Sequence, residues 1–343
     1  MVTYYSERQS WHHPQFEFYD GILRSNLDVP ERAEIILEIV RSAGIGAVES
    51  PSDYGIEPIK AVHDSDYIQY LQTAYAEWLN VGGRPEGVFP DTFPVRRMSH
   101  RPSSPAALAG YYSMDVTAIV TAGTWQAAYD SAQCALNAAN AVRNGARSAF
   151  ALCRPPGHHA QADVCGGYCF LNNAAIAAQS LCNTGLSNRI AILDIDFHHG
   201  NGTQAIFYER DDVLTLSLHA DPDREYPYFT GADIERGEGA GFGYNVNYPL
   251  ESRVDDHRYM EVLDEACSQI MRYDPSYLVL ALGVDTFSDD PLCDFNLTSS
   301  VYEVIGSRLA QLMLPTVFIM EGGYATKHLG HNVVNVLVGF ESR

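Results

Sequence analysis

Five short apolar runs, separated by segments of helical periodicity, constrain the fold of this chain more than any other feature of its sequence. The runs lie at 148–153, 189–196, 213–219, 277–285 and 315–320. They do not alternate with polar residues, which is typical of strands buried on both faces. The helical segments lie at about 125–144, 171–183, 255–273, 299–313 and 328–340. Because strand–helix alternation favours right-handed crossovers, the pattern predicts an α/β fold with a central, mostly parallel sheet and helices on both faces.

The N-terminal part of the chain adds further elements to this pattern. We predict a strand near 2–6, a helix near 30–43 and another helix after Asp64. Pro30 suits an early helical position, and Gly44 suits the end of the same helix. A chain of 343 residues can form one large domain or two ordinary ones. We interpret this chain as a single α/β domain over 1–343.

One segment, at about 80–105, departs from both periodicities. It is rich in Gly, Pro and Arg. A stretch this long without regular structure inside a compact domain is usually functional or disordered. We therefore expect an inserted loop that acts as a lid or a subunit contact.

Composition limits the partners of the chain without naming a substrate. The net charge is −21, from 43 acidic and 22 basic residues. Such a surface repels nucleic acid and anionic membranes and attracts a cationic ligand, although solubility or adaptation to salt is the more common explanation of such a charge. No apolar run reaches the ~18 residues of a membrane span, and the N-terminus lacks a signal-peptide pattern. The seven cysteines form no recognisable framework, so we expect a cytoplasmic protein.

Polar residues collect directly after all five apolar runs. The segments RPPGHHA, FHHGNG, DPDREYPYFTG, GVDTF and EGGY follow or overlap the five run ends, and His219 ends the third run. Open α/β sheets bind their ligands at the carboxyl ends of the strands. The sequence therefore predicts a ligand site at that edge of the sheet.

The stretch AILDIDFHHGNG (191–202) suggests a metal at this site. In an extended chain, alternate residues share a face, which places Asp194, Asp196 and His198 on one side and His199 on the other. Asp196 and His198 make a mixed O/N pair suited to a divalent metal, especially zinc. Asp285, after a neighbouring run, is the best candidate for a third ligand. Three protein ligands would leave a position open for water and substrate, as in catalytic sites.

Two further motifs fit hydrolytic chemistry at a metal. The turn before His158 and His159 is stiffened by two prolines, so one imidazole could deprotonate a water while the other lends electrostatic support. Tyr324, after two glycines, could donate a hydrogen bond to a developing oxyanion. Each of these features also has a purely structural explanation. The Asp-x-His pair could cap a strand end, the two adjacent histidines could lie on the surface, and the tyrosine could be an ordinary loop residue. Their occurrence together at five strand ends favours the site.

At these residues the sequence closely resembles the zinc-dependent histone deacetylase superfamily, which shares the arginase-like α/β fold. The matching motifs, in order over 153–324, are RPPGHHA, GGYCFLNNAAIAA, LDIDFHHGNGTQ, SLH, LGVDTF and EGGY. Within that superfamily, the N-terminal half looks most like the bacterial acetylpolyamine amidohydrolases. This narrower likeness lies in 93–97, 111–112, 123–125 and the 80–105 insertion.

The resemblance implies a role for each matching residue. The implied zinc ligands are Asp196, His198 and Asp285. His159 would act as general base and then general acid, with His158 as its electrostatic companion oriented by Asp194. Tyr324 would stabilise the tetrahedral intermediate. Asn201 stands where many relatives carry an aspartate, and an amide there accepts a hydrogen bond but makes the imidazole less basic.

The resemblance also implies a substrate tunnel and a second cation. The implied tunnel residues are Gly167, Tyr168, Tyr226 and Glu17, with Glu17 near the rim. The implied ligands of a structural K⁺ are Asp194, Asp196, His198, Leu218 and the Ser217 hydroxyl. Ala106 and Thr117 occupy positions that are acidic in the polyamine enzymes, so we expect a thinner anionic mouth.

The implied activity is removal of acetyl groups from N-acetylated polyamines or short diamines, with release of acetate and a free amine. The thin anionic mouth favours the short diamines, such as acetylputrescine and acetylcadaverine. The insertion at 80–105 suggests a homodimer in which this loop narrows the partner's site. Three alternatives stay open: a protein lysine deacetylase, a two-manganese ureohydrolase, and a non-catalytic binder of acylated amines. The ureohydrolase would need further carboxylates, where this chain has His199 and Gly200.

Overall fold

An eight-stranded parallel sheet forms the centre of the structure, a computed structural model that describes residues 1–19, 21–182 and 189–342. In chain order, the strands are β1 (Val2–Tyr4), β2 (Phe16–Tyr19), β3 (Ile22–Ser25), β4 (Val48–Glu49), β5 (Ser148–Ala151), β6 (Ile190–Asp194), β7 (Val213–Ala220), β8 (Asn245–Leu250), β9 (Tyr277–Leu282) and β10 (Thr316–Met320). The order across the sheet is β4-β1-β5-β10-β9-β6-β7-β8, and every neighbouring pair is parallel. Strands β2 and β3 form a separate antiparallel hairpin.

Helices cover the central strands. They are α1 (Glu31–Ala43), α2 (Glu57–Lys60), α3 (Ser65–Asn80), α4 (Pro105–Tyr111), α5 (Thr124–Arg143), α6 (Asn173–Cys182), α7 (Asn201–Phe207), α8 (Asp256–Tyr273), α9 (Val301–Ala310) and α10 (Thr326–Glu341). Every residue of β5, β6, β7 and β10 is buried. Because successive strand residues point to opposite faces, this burial requires cover on both faces, and the predicted α/β sheet is confirmed. Across the described ranges, none of these helices is both long and apolar enough for a bilayer span.

Helix α1 shows how local sequence sets the element boundaries. Pro30 lies immediately before its first residue, and Gly44 follows its last residue with φ of 63°. The left-handed conformation at Gly44 ends the helix without the strain that a side chain would add. Both residues therefore occupy the positions that the sequence predicts.

The predicted strands and the observed strands differ mainly at their carboxyl ends. The runs predicted at 148–153, 189–196 and 277–285 end as strands at Ala151, Asp194 and Leu282. The polar residues beyond these ends leave the sheet and form the loops of the site. The predictions do not include β2, β3, β4, β8 or the short helices α2, α4 and α7. Strand β8 has the sequence NVNYPL and lies at the sheet edge, where a proline is tolerated. Residue 183, the end of one predicted helix, lies outside the described residues.

The inserted loop lies between α3 and α4. It contains no helix, which agrees with its lack of periodicity, and its Val88 bridges to Val120. Its first part packs on α3, where the indole nitrogen of Trp78 donates to the Arg84 carbonyl oxygen at 3.0 Å. Farther along, Val95 and Met98 are exposed.

A buried charge cluster ties the N-terminal segment to the loops after β5 and β10. Asp28 lies between Arg32 and Arg154, and all three side chains are at least 98% buried. Arg32 Nη1 donates to Asp28 Oδ1 at 2.5 Å, and Arg154 Nε donates to the same oxygen at 3.2 Å. Arg32 also donates to the carbonyl oxygens of Gly323 at 2.6 Å and Glu321 at 2.7 Å. Burial alone would raise the pKa of Asp28, but the two guanidinium groups outweigh it and lower that pKa.

Replacing Asp28 with Asn removes the negative charge between the two guanidinium groups. At neutral pH we expect Asp28→Asn to lower the free energy of unfolding by about 3–5 kcal/mol, because two buried cations lose their partner. A carboxylate with a lowered folded-state pKa stabilises the fold above its unfolded-state pKa, and this contribution is lost as the pH falls through the folded-state pKa. The difference between wild type and variant should therefore shrink below about pH 4. Urea denaturation of both proteins at a series of pH values measures this difference in the free energy of unfolding.

The control for this measurement is Asp91→Asn, at an exposed position of the inserted loop. We expect it to change the free energy of unfolding by less than about 0.5 kcal/mol at any pH. A difference for Asp28→Asn that stays constant down to about pH 3 would contradict the assigned charge pairing.

Candidate active site

Asp196, His198 and Asp285 converge at the carboxyl ends of β6 and β9. Their ligand atoms all lie within 4.8 Å of one another. His198 Nδ1 is 3.3 Å from Asp196 Oδ1 and 3.1 Å from Asp285 Oδ2. The two carboxylates are completely buried, and the His198 side chain is 12% exposed. The structure thus brings together the three residues that the sequence selected as metal ligands.

Backbone amides orient both carboxylates toward His198. The Phe197 amide donates to Asp285 Oδ1 at 2.9 Å, and the Gly322 amide donates to Asp196 Oδ2 at 2.8 Å. In each carboxylate, the other oxygen faces His198. Burial and the neighbouring Asp196 carboxylate raise the pKa of Asp285 to about 7. Two carboxylates and one imidazole nitrogen in a buried cluster of this kind fit a divalent cation, and zinc accepts all three donors.

His158 and His159 lie side by side but have different partners. The His158 Nδ1–H donates to Asp194 Oδ2 at 2.9 Å, and the His159 Nδ1–H donates to Asn201 Oδ1 at 2.7 Å. Burial opposes a charge on both rings. For His158, the Asp196 and Asp194 carboxylates outweigh burial and raise its pKa well above the usual value. For His159, burial and then the charge of His158 lower its pKa well below the usual value.

These partners leave the two imidazoles in different states. The two neighbouring carboxylates favour the protonated form of His158. His159 is neutral, and because its Nδ1 donates to Asn201, its Nε2 keeps a lone pair that can accept a proton. One ring is therefore suited to electrostatic support and the other to general base chemistry.

Glu321 holds the turn that carries the two histidines. Its Oε2 accepts hydrogen bonds from the amides of Gly157 at 2.6 Å and His158 at 3.1 Å. Burial raises the pKa of Glu321 to about 8. Glu321, His158 and Cys169 form a second group with metal-ligand spacing. Burial raises the pKa of the Cys169 thiol well above its usual value, so this thiol stays protonated and is a poor ligand.

The loop after β10 presents Tyr324 to the site. Asp290 Oδ2 accepts hydrogen bonds from the amides of Tyr324 at 2.6 Å and Ala325 at 3.0 Å. The guanidinium of Arg32 lies 4.6 Å from the centroid of the Tyr324 ring. Burial raises the pKa of Tyr324 well above its usual value, so the phenol stays protonated and can donate a hydrogen bond. The sequence analysis identified Tyr324 but missed Arg32, Asp290 and Glu321, although Glu321 lies within the EGGY motif.

A cavity of about 400 Å³ opens above these residues. His159, His198 and Tyr324 line its inner part, and Gly167, Tyr168 and Tyr226 line its walls. Gly167 has φ of 53°, and a Cβ on it would lie 2.1 Å from His159 Cδ2. Only glycine therefore fits at this position, directly against the imidazole ring.

The acidic residues at the mouth differ from those that the sequence suggested. Glu17, expected near the rim, is completely buried and presents no free carboxylate there. Tyr168 OH donates to its Oε2 at 2.5 Å, and Arg24 Nε donates to its Oε1 at 2.5 Å. Instead, Asp115 and Glu225 line the cavity. Both were missed, because no local pattern marks either of them.

Ala106 and Thr117, the two uncharged residues expected at the mouth, lie in different cavities. Thr117 lines this cavity, whereas Ala106 lines a separate one formed by the inserted loop and α4.

The residues named for a monovalent cation lie at the ends of β6 and β7, where Asp194 pairs with Ser217. The Ser217 hydroxyl donates to His219 Nδ1 at 2.8 Å, and His219 Nε2–H donates to the Gly231 carbonyl oxygen at 2.9 Å. Because the hydroxyl proton is used by His219, the lone pairs of Ser217 stay available to a cation.

His199 lies apart from this group, as the alternation of faces predicts. It is buried, its Nε2–H donates to Gln204 Oε1 at 3.1 Å, and its ring lies 4.5 Å from that of His219.

Known proteins share both the sequence and the fold. The sequence matches the histone deacetylase domain family over residues 26–339. It is 52% identical to acetylpolyamine amidohydrolase 1 of Pseudomonas aeruginosa and 43% identical to the acetylpolyamine amidohydrolase of Mycoplana ramosa, in each case over 99% of both chains. The crystal structure of an acetylpolyamine aminohydrolase from Burkholderia pseudomallei is 42% identical, with a TM-score of 0.95 over 100% of this chain and 99% of that one. This likeness confirms the deacetylase-like fold.

Proposed function

The chain belongs to the histone deacetylase family, and from this membership we propose that it is a zinc-dependent amidohydrolase acting on N-acetylated polyamines or short diamines. The observation that carries the proposal is the set of side chains at the inner end of the cavity. There a neutral imidazole (His159), a protonated phenol (Tyr324) and His198 face one space, and the Asp196 and Asp285 carboxylates lie directly behind His198. The names of the relatives support an acetylated amine as the substrate. The products would be acetate and a free amine.

Asp196, His198 and Asp285 would hold the zinc. When bound, zinc polarises the acetyl carbonyl and makes water a stronger nucleophile. The proposed K⁺ would lie behind it, with the Ser217 hydroxyl and the backbone of Asp194, Asp196, His198 and Leu218 as its ligands. The free lone pairs of Ser217 support this second assignment.

His159 moves the proton in the proposed reaction. Its Nε2 accepts a proton from the attacking water, while its Nδ1–H stays hydrogen-bonded to Asn201. The same Nε2–H then donates to the nitrogen of the leaving amine. Asn201 accepts without adding negative charge, which keeps the ring less basic than a carboxylate partner would. His158 in its protonated form, oriented by Asp194, would stabilise negative charge on the reacting oxygens.

Tyr324 and the cavity walls act on the substrate. The Tyr324 hydroxyl donates a hydrogen bond to the carbonyl oxygen as negative charge develops there. Gly167 would accept the amide N–H through its carbonyl oxygen. The rings of Tyr168 and Tyr226 enclose the methylene chain and exclude water from it.

We also propose a homodimer that forms through the inserted loop. Val95 and Met98, more than half exposed, give this loop apolar side chains for a subunit contact. A cytoplasmic location completes the proposal, and the seven cysteines, all free, suit a reducing compartment.

Metal removal tests the zinc assignment. We expect dialysis against a chelator to abolish activity and stoichiometric zinc to restore it. The reason is that the proposed reaction needs the metal that Asp196, His198 and Asp285 would bind. Asp285→Asn should lower the zinc content, measured by elemental analysis after dialysis. Asp289→Asn, at an exposed position four residues away, is the matched control and should keep its zinc. Full activity in metal-free protein would refute the assignment.

Tyr324→Phe removes one hydroxyl and keeps the ring. We expect kcat to fall by about 10²–10³, with little change in KM, because the hydrogen bond strengthens only as charge develops on the oxygen. Tyr248→Phe, on the edge strand β8 away from the cavity, is the control and should leave kcat unchanged. Steady-state kinetics on one acetylated amine measures both variants. A Tyr324→Phe enzyme within threefold of wild type would exclude Tyr324 from this role.

The substrate class is tested by a panel of acetylputrescine, acetylcadaverine, acetylspermidine and acetyl-lysine peptides. We expect the highest kcat/KM on a free acetylated amine, and among these on the short diamines. A higher kcat/KM on peptides than on every free amine would instead establish a protein lysine deacetylase.

A further inference from the structure

The thioether sulfur of Met114 contacts Asn201, the residue that accepts the hydrogen bond of His159. Asn201 Nδ2–H donates to Met114 Sδ at 3.4 Å, while Asn201 Oδ1 accepts from His159 Nδ1–H at 2.7 Å. The buried amide of Asn201 therefore lies between a thioether and an imidazole, with its nitrogen toward the first and its oxygen toward the second.

The fold holds this sulfur in place. The Met114 amide donates to the Cys165 carbonyl oxygen at 2.9 Å. A Cβ on Gly166 would lie 2.4 Å from Met114 Cγ and 2.6 Å from Met114 Cε. The first glycine of the GGY motif thus provides the space for the Met114 side chain. The thioether packs directly on the segment that also carries Gly167, a wall of the cavity.

The amide of Asn201 has two possible orientations, and they have opposite consequences for His159. With Oδ1 toward the ring, Asn201 accepts a hydrogen bond, so His159 carries its proton on Nδ1 and keeps a lone pair on Nε2. With Nδ2 toward the ring, Asn201 donates instead, so Nδ1 must carry the lone pair and Nε2 the proton. Only the first orientation leaves Nε2 free to accept a proton from water.

The chemistry of sulfur distinguishes the two orientations. A thioether has no hydrogen to donate and acts only as a weak acceptor. Met114 therefore stabilises the orientation in which Asn201 Nδ2 faces it. In the reversed orientation, the sulfur would lie against Oδ1, which is a second acceptor. A carboxylate in place of the amide would present an oxygen to the ring in either orientation, so the need for selection comes from the amide.

We propose that Met114 is a positioning residue that fixes the tautomer of His159 through the orientation of Asn201. This inference rests on the proposed amidohydrolase function, in which His159 Nε2 is the base. Met114 acts through its neighbour: the sulfur selects the orientation of the amide, and the amide selects the tautomer of the imidazole.

The first test removes the sulfur and nearly keeps the side-chain volume. We expect zinc-loaded Met114→Leu to show a kcat about three- to tenfold below that of wild type on the best acetylated amine of the substrate panel. The reason is that loss of one neutral hydrogen bond allows the reversed amide in part of the molecules. KM should change little, because both tautomers leave the cavity open. Met260→Leu, at a partly buried position of α8, is the matched control and should keep the wild-type kcat.

A double-mutant cycle with Asn201→Asp separates this role from packing alone. In the Asn201→Asp enzyme, we expect Met114→Leu to change kcat less than about twofold, because the carboxylate has no orientation to select. A loss of packing would instead lower kcat by the same factor whether residue 201 is the native amide or the substituted carboxylate.

The tautomer itself is measured by ¹⁵N NMR of the imidazole rings in the zinc-loaded protein, with His159→Ala identifying the signals of His159. We expect wild type to show a protonated Nδ1 and an unprotonated Nε2. Met114→Leu should show a second population with the proton on Nε2. This measurement depends neither on turnover nor on a variant of Asn201.

Three results would overturn the inference while leaving the amidohydrolase function intact. They are a kcat of Met114→Leu within twofold of wild type, an equal loss of kcat in both members of the cycle, and the same His159 tautomer in wild type and Met114→Leu. A zinc-loaded wild type without activity on any acetylated amine would overturn the proposed function instead.

Discussion

Two buried carboxylates, Asp196 and Asp285, face one imidazole nitrogen, and much of the surrounding structure is arranged by the cost of placing them there. Burying a charge is unfavourable unless hydrogen bonds and opposite charge compensate it. Backbone amides after β6 and β10 supply the hydrogen bonds. The approach is so close that a Cβ on Gly283 would lie 2.1 Å, and one on Gly322 2.6 Å, from Asp196 Oδ2. The glycines of the LGVD and EGGY motifs therefore provide the space in which the carboxylates fit, and the proposed zinc would supply the remaining compensation.

The same electrostatics makes two adjacent, chemically identical side chains different. His158 and His159 have ring centroids only 4.0 Å apart, and both are buried. For the first ring, the Asp196 and Asp194 carboxylates outweigh burial and raise the pKa, whereas for the second ring burial and the charge of the first lower the pKa, and the hydrogen bond to the Asn201 amide raises it too little to compensate. The assignment of acid–base roles thus depends on the residues that accept from Nδ1, Asp194 and Asn201, rather than on any difference between the imidazoles.

The sequence was sufficient for the parts of the site that follow strand ends. The alternation of faces separated Asp196 and His198 from His199, even though β6 ends at Asp194 and the residues beyond it are held by side-chain and loop contacts. It was insufficient for groups that reach the site from distant elements. Asp115, Arg32 and Asp290 sit in segments with no strand-end pattern, and only tertiary packing brings them to the tunnel or to Tyr324. Glu17 shows the converse, since its place beside the tunnel was expected but its pairing with Arg24 could not be read from its position in the chain.

The contact between Gly167 and His159 has a consequence for how such a scaffold diversifies. A side chain at position 167 would overlap the His159 ring, so the inner tunnel cannot be narrowed at this point without moving the proposed general base. Divergence in substrate range is thereby restricted to positions farther out, such as the loops that carry Val116, Glu225 and Leu292. The proposed reaction and the proposed choice of amine would in this sense depend on separate positions, of which the first tolerates less change in side-chain size.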